Sequence, residues 1–407
     1  MKGGIMESQT NAMSRRIFLR KAGSAMLVAS GALAGESHTS VPDNPLQSDR
    51  KIRIGVVGGG FGCSFQWHEH PNCIVYAVSD LRTDRRNLLM QVYKCNRAYE
   101  SLEKLILDEN IEAVAVFTGA PDHVRHCAMV MDAGKHVISA VPAAMSIDEC
   151  EQLLDAKLRT GRTYMMAETS YYRYYTTAAR QLYQQGRFGE LFYSEVEYYH
   201  PPDAGSAARA IYKGKRTWRY GLPPMLYPTH STGFLIGVTK ERFTEVSSLG
   251  YQDPKRAGTL NRDNAYNNPF TAQVGLFKTN QDHMCRVNVF WKGIAHGERA
   301  QWFGTDLAFY MPGSGGQPFR IQGDRAPQWK TVPRFWERLP KPLRHESGHG
   351  GSHTFLTHEF IAALIEEREP AVDIYEALAM TAPGIVAHRS SLQGGEQLKV
   401  PDFDRKK

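Results

Sequence analysis

The sequence predicts an N-terminal doubly wound α/β domain followed by a second domain of different build, and three observations carry that prediction. The apolar run Ile52 to Val57 is short and β-branched and closes on Gly58, Gly59 and Gly60, the pattern of a buried parallel strand entering a tight turn. A second such run, Ile74 to Val78, leads into Asp80, twenty residues beyond Gly60. Strand-like and helix-like segments then alternate as far as Glu168, after which strand-like runs dominate. With 407 residues the chain exceeds one ordinary core, which favours two domains.

In chain order, Gly58 and Gly60 fill the first two positions of a G-x-G-x-x-G fingerprint, Cys63 takes the third, and Gly62 lies one place early. The stretch from Phe61 to His70 is expected to be a helix whose first amides face a pyrophosphate. Gly58, Gly60, Phe61 and Gly62 are therefore expected cofactor contacts. Asp80 suits a carboxylate that bonds an adenosine ribose, which favours NAD because a 2′-phosphate would be repelled. Arg82, Arg85 and Arg86 beside it keep NADP open. Helices are expected near 84–96, 102–107 and 123–133, with a strand from Ala113 to Phe117 between the last two. Thr118 to Asp122 forms a turn at the carboxyl end of that strand, where a doubly wound sheet places its ligand, so Thr118, Pro121 and His123 join the cofactor set. The strand His136 to Val141 ends at Pro142, which is expected to fix a turn, with a cis bond allowed, beside the nicotinamide. A helix from Ile147 to Thr160 and a strand from Thr163 to Ala167 bring Glu168 to a strand tip.

The net charge of +7 is concentrated at the start: residues 1–34 contribute +4, leaving +3 elsewhere, which argues against nucleic acid as a partner. Ser14, Arg15, Arg16, Ile17, Phe18 and Leu19, followed by an apolar run to Ala34, match a twin-arginine export signal, and the run is too short for a membrane span. Periplasmic residence is expected in a diderm bacterium and extracellular residence otherwise. Residues 35–50 read as a linker, 51–185 as the nucleotide domain and 186–407 as the substrate domain. Twin-arginine export carries folded proteins, so a dinucleotide loaded before export would have to be reoxidised on the same protein. The six cysteines show no C-x-x-C or C-x-x-H spacing, so no zinc site is expected, while disulfides stay open.

The order GGGFG, VSD, TGAPDH, GKHV with VPAA, and MMAE resembles the Gfo/Idh/MocA superfamily of sugar-active, nicotinamide-dependent enzymes, over the whole chain after the signal. The resemblance implies a Rossmann domain followed by an open, mostly antiparallel sheet, for which strand-like runs occur at 191–199, 243–249, 270–277, 284–290 and 300–310. Dehydrogenases of this family generally carry Glu-Lys-Pro where this chain has Ala140, Val141 and Pro142, and valine cannot transfer a proton. The VPAA variant, with LYPTH at Leu226 to His230, is similar to the branch containing NAD-dependent glycosidases such as exported α-N-acetylgalactosaminidases.

Tyr227 and His230 fall in a proline- and glycine-rich loop entering a helix near Ser231, and a histidine there suits a base near neutrality. Tyr172 matches, with a one-residue difference in spacing, a tyrosine of the glycosidase motif, and Glu168 supports either proton transfer or cofactor binding. Trp218 is expected to stack on a sugar, and Asn264, Tyr266 and Asn267 form a loop rich in sugar-type hydrogen-bonding groups. His345, His349 and His353 are spaced by four, but the glycines among them disfavour one helical face and a metal. A loop folding over the active site and placing His349 or His353 near substrate fits better.

These features lead to the expectation of an NAD-dependent enzyme acting on a saccharide by a redox-neutral cycle of oxidation, elimination, water addition and reduction. A net sugar oxidoreductase and a non-catalytic sugar sensor holding a dinucleotide remain the alternatives. A homo-oligomer is compatible with the sequence, which locates no interface.

Overall fold

The computed structural model describes residues 46–201, 209–253 and 264–405. The export signal at 1–34 and the linker as far as residue 45 lie outside them. Six strands form the first sheet: β1 Ile52–Val57, β2 Cys73–Ser79, β3 Ala98–Tyr99, β4 Ala113–Val116, β5 His136–Ser139 and β6 Tyr164–Met166. Their order is β3-β2-β1-β4-β5-β6 and every pairing is parallel. The order reverses on either side of β1, which opens the crevice at the carboxyl ends of β1 and β4. Ile54, Val56, Val114 and Val116 are fully buried, as continuous apolar strands covered on both faces must be. The helices are α1 Thr83–Tyr93, α2 Leu102–Leu105, α3 His123–Asp132, α4 Ile147–Thr160 and α5 Tyr174–Gln184. Helix α4 starts where the Ser146 hydroxyl accepts from Glu149 N and stops at Gly161 in the left-handed region.

One expected element is absent. Phe61 to His70 forms two short 3₁₀ turns, Phe61–Ser64 and Trp67–Glu69, in place of a helix. Phe65 and Trp67 both go into the core and stack on one another, 5.7 Å between ring centroids, a two-residue spacing that a 3.6-residue repeat cannot put on one face. A pyrophosphate at this loop therefore gains nothing from a helix dipole.

The second sheet holds β7 Leu191–Tyr199, β10 Phe243–Gln252, β11 Phe270–Thr279, β12 Met284–Phe290, β13 Gly297–Gly304, β14 Ala308–Tyr310, β15 Arg320–Gln322 and β16 Leu398–Lys399. Its order is β15-β14-β13-β7-β12-β11-β10-β16, antiparallel except for β12 against β7. A separate hairpin pairs β8 Ile211–Tyr212 with β9 Lys215–Arg216.

Helix α6, Thr229–Thr239, is buried all round except at its last residue, and its small residues allow close approach: a Cβ on Gly233 would lie 3.0 Å from Glu168 Cγ. Helices α7 Gly348–Ile365 and α8 Ile374–Leu392 complete the fold. Residues of α8 and of the segment before it bond to both halves: Val372 O accepts from Met166 N at 3.0 Å, Thr381 Oγ1 from Ala143 N at 3.3 Å, and Ser390 Oγ from Ser248 N at 2.9 Å. Both sheets consequently lie in one compact unit. Among the described residues no helix is long and apolar enough to cross a membrane.

Candidate active site

The loop after β1 is shaped for close approach. Gly58 has φ 101°, and a Cβ there would sit 2.2 Å from Phe117 O. A Cβ on Gly60 would sit 2.5 Å from Arg85 Nη1, so a guanidinium lies beside the loop. Asp80 Oδ2 accepts from Gly59 N at 2.7 Å and its Oδ1 from Arg82 N at 2.8 Å, tying the β2 carboxylate to the glycine turn. These residues fit a dinucleotide: a tight glycine cradle, a cation beside it and a carboxylate at the ribose position.

Across the crevice, the expected contacts after β4 prove to be partly braces. His123 is buried, with Nδ1 2.7 Å from Pro142 O and Nε2 3.3 Å from Thr118 O, so its ring links the two turns. Burial brings its pKa down to about 4. Thr118 Oγ1 pairs with His126 Nδ1 at 2.9 Å, Pro121 sits in a 3₁₀ turn, and the Val141–Pro142 bond is cis.

Beyond this crevice lies a buried cluster of acid–base groups. Glu168, at the end of β6, is fully buried; its Oε1 lies 2.8 Å from His230 Nδ1 and accepts from Ser170 N at 2.8 Å. Oε2 is buried without a partner, an acceptor left over for a bound group. Burial alone would lower the His230 pKa, but the Glu168 carboxylate outweighs it and raises the pKa to about 9. At neutral pH His230 is therefore an imidazolium, a proton donor and electrostatic partner. This corrects the expectation of a resting base. Tyr227 takes the complementary role: burial pushes its phenol up, but Arg219 and the His230 imidazolium prevail and hold it below its ordinary value. The Arg219 Nη2 to Tyr227 Oη distance is 3.4 Å, and the Tyr227 and His230 rings meet edge to face at 5.3 Å.

Sheet register adds residues that local motifs did not reveal. Tyr198 of β7 pairs with Glu298 of β13, and its ring lies 4.6 Å from that of His230. Glu298 forms a 2.5 Å ion pair with Arg173, and despite burial the Arg173 and His230 cations hold its carboxyl down at about 2. His200 follows on the same strand path, 4.7 Å from Tyr198 and 4.3 Å from His296 between ring centroids. A strand ending in adjacent aromatics and a histidine, Tyr198 to His200, was the available signal.

His349 adopts φ 52° and, with Gly350 and Gly351 also left-handed, breaks the start of α7. The turn puts its ring 6.3 Å from His230 and 5.7 Å from Phe61, between the glycine loop and the acid–base group. Its Nδ1 lies 2.8 Å from His353 Nε2, whose Nδ1 lies 2.8 Å from Ser64 O. Burial holds both rings neutral, with His349 down at about 3 and His353 at about 4. His345 points elsewhere, to Glu69 at 2.6 Å, so the three spaced histidines do not converge.

Of the other expected residues, Trp218 borders this group, its ring 6.4 Å from that of Tyr227 and 4.1 Å from the Arg219 guanidinium carbon. Tyr172 is in the core, stacked on Phe355 at 6.0 Å, and burial with the nearby Glu359 carboxylate pushes its phenol well above the ordinary range. It is unsuited to proton transfer, and Tyr198 stands beside His230 instead. Trp218 lies against the turn after β4, with Cδ1 2.8 Å from where a Gly119 Cβ would be. Tyr266 Oη donates to Trp218 O at 2.5 Å and so positions that residue. Asn264 uses its side chain on its own loop, accepting from Tyr266 N and Asn268 N, and Asn267 occupies a left-handed position at φ 50°. These two asparagines shape a turn.

Comparison with known proteins agrees with this architecture. Residues 52–168 match the Gfo/Idh/MocA model, described as an oxidoreductase family with an NAD-binding Rossmann fold, and residues 326–407 match the C-terminal domain of glycosyl hydrolase 109. A glycosyl hydrolase family 109 protein of Solibacter usitatus is 26% identical, covering 97% of this chain and 98% of its own length. An alpha-N-acetylgalactosaminidase of Tannerella forsythia is 22% identical, covering 96% and 97%. Among solved structures, the WlbA dehydrogenase from Bordetella pertussis in complex with NADH and UDP-GlcNAcA superposes with a TM-score of 0.66 at 18% identity, covering 87% of this chain and 99% of its own. An oxidoreductase domain protein from Kribbella flavida gives 0.68 at 15%, covering 87% and 100%. The chain is thus an enzyme whose residues 52–168 match the Gfo/Idh/MocA NAD-binding domain and whose residues 326–407 match the glycosyl hydrolase 109 C-terminal domain.

Proposed function

We propose that the protein is an exported glycoside hydrolase that works with a retained NAD through a redox-neutral cycle. The observation that carries the reading is the buried Glu168–His230 pair flanked by Tyr227 and Tyr198, set beyond a glycine cradle and beside a turn that has Val141 where family dehydrogenases place a lysine. When bound, the nicotinamide supplies a hydride acceptor and later the donor, so that oxidation at a ring carbon, elimination of the glycosidic group, water addition and reduction leave it unchanged.

The chain's own residues would supply the proton movements. Tyr227, with its phenol held low by Arg219 and His230, would accept the proton of the hydroxyl being oxidised. The His230 imidazolium, kept charged by Glu168, would stabilise the oxygen on which negative charge gathers. Tyr198 lies close enough to His230 to take part in removing the proton from the carbon beside the ketone. The Arg173–Glu298 pair and neutral His349 would orient hydroxyls.

Asp80 favours NAD over NADP, because its carboxylate is fixed where a 2′-phosphate would approach. Export rests on the Ser14–Leu19 signal, and a cofactor that ends each turnover unchanged suits a compartment without a nicotinamide pool. The relative named alpha-N-acetylgalactosaminidase makes the aryl α-N-acetylgalactosaminide the first substrate to assay within an aryl-glycoside panel. Aglycone release without accumulating reduced nicotinamide is the expected result; stoichiometric reduced cofactor with an intact glycoside would make the protein a net oxidoreductase.

A further inference from the structure

Segment 209–219 of the second domain touches both sides of the nucleotide crevice. At one end Trp218 lies against Gly119 in the turn after β4, held there by Tyr266. At the other, Tyr212 of the β8–β9 hairpin sits on the start of α1, immediately after the ribose-position carboxylate Asp80. The Arg82 and Arg85 guanidinium carbons lie 4.2 and 4.7 Å from the Tyr212 ring centroid. The hairpin is fastened there by Asp84, whose Oδ2 accepts from Tyr212 Oη at 3.1 Å and from Lys213 Nζ at 2.7 Å.

Three features of this end point to a ligand. Arg85 reaches back over the glycine loop, its Nη1 2.5 Å from where a Gly60 Cβ would be. Neither Arg82 nor Arg85 forms an ion pair among the described residues, although both stand where a dinucleotide brings its phosphates and adenosine. Leu81, directly after Asp80, is 81% exposed, an apolar side chain that the protein itself leaves uncovered beside the ribose position.

We infer that Tyr212 is a cofactor-binding residue, closing the adenosine end of the dinucleotide cleft through Arg82 and Arg85 and thereby slowing release of the nucleotide. The inference rests on the retained-dinucleotide reading and adds the part of the chain that does the retaining. Cation–π contact on two guanidinium groups, with the Asp84 anchor behind it, makes the hairpin a latch whose loss frees one end of the ligand.

The test is a pulse–chase of cofactor on the full chain. Wild type, Tyr212→Ala, Tyr212→Phe and Asp84→Asn are loaded with isotope-labelled NAD and chased with excess unlabelled NAD, and the label retained is measured against time. Tyr212→Ala is expected to release label about tenfold faster, Tyr212→Phe within about threefold of wild type because the ring remains, and Asp84→Asn in between. Asp84→Asn keeps the test alive if Tyr212→Ala fails to fold, since it weakens the anchor by removing its charge without removing the ring. Equal release by wild type and the variants overturns the latch while leaving cofactor binding intact. A wild type that holds no NAD at all overturns the retained-cofactor reading, and the latch with it.

Discussion

Replacing Glu168 by Gln keeps the shape of the side chain and its bond from Ser170 N, but removes the charge that holds the His230 proton. His230 is 4% exposed, and its pKa stands at about 9 against an ordinary 6.5. At about 1.4 kcal/mol per pH unit that difference is ~3 kcal/mol in favour of the imidazolium, and it is the balance left after burial has acted the other way. With the carboxylate gone only Glu298 and Tyr227 are left to oppose burial, and His230 should titrate well below 9. NMR of ring-labelled histidine, with His230 assigned by comparison with His230→Asn, reads this directly. The folded pKa lies above the unfolded one, so the stabilisation is fully present below about pH 6.5 and is lost as pH rises through about 9. The stability gap between wild type and Glu168→Gln should accordingly be widest below pH 6.5 and shrink toward pH 9. A His230 that still titrates near 9 in the variant, or near 6.5 in the wild type, refutes the pairing.

Three further outcomes follow from the same geometry. Arg219→Met removes a cation that holds the Tyr227 phenol down, so the acidic limb of the kcat/KM profile should move to higher pH by about one pH unit; superimposable profiles would dissociate Arg219 from Tyr227. Glu298→Gln strands the guanidinium of Arg173 in a largely buried setting and should cost about 3 kcal/mol in denaturant unfolding at pH 7. Because the folded Glu298 pKa is depressed to about 2, that contribution is present above the ordinary carboxylate range and should vanish as pH falls toward 2; a pH-independent gap would contradict the ion pair. Gly58→Ala meets Phe117 O at 2.2 Å with φ at 101°, and should both lower stability by at least about 2 kcal/mol and empty the protein of nucleotide, as measured by calorimetry and by mass spectrometry of the released cofactor.

Most of the first sheet was legible because parallel strands buried on both faces are written as unbroken apolar runs, as in Ile52–Val57 and Ala113–Val116. The turn at Gly58, the place of Asp80 at the end of the second strand and the tip position of Glu168 were readable for the same reason: they are set within a few residues of a strand end. The stretch after Phe61 was misread because Phe65 and Trp67 answer to the core of the whole domain, which overrides the local preference. Tyr172 was favoured by its place in a motif, yet its side chain goes to Phe355 and Glu359, contacts made by a helix almost two hundred residues later. Tyr198 and Glu298 meet only through the β7–β13 register, a pairing that no window of sequence contains. The same holds for Tyr212, whose partners on α1 lie in the other domain.

Hydrolysis of the aryl glycoside in D₂O by protein carrying its own nicotinamide tests the redox-neutral cycle most directly. The cycle predicts aglycone release with no net reduced nicotinamide, and a sugar product bearing deuterium on the carbon next to the one oxidised. Aglycone release with no deuterium in the sugar would show direct displacement at the anomeric centre and contradict the cycle.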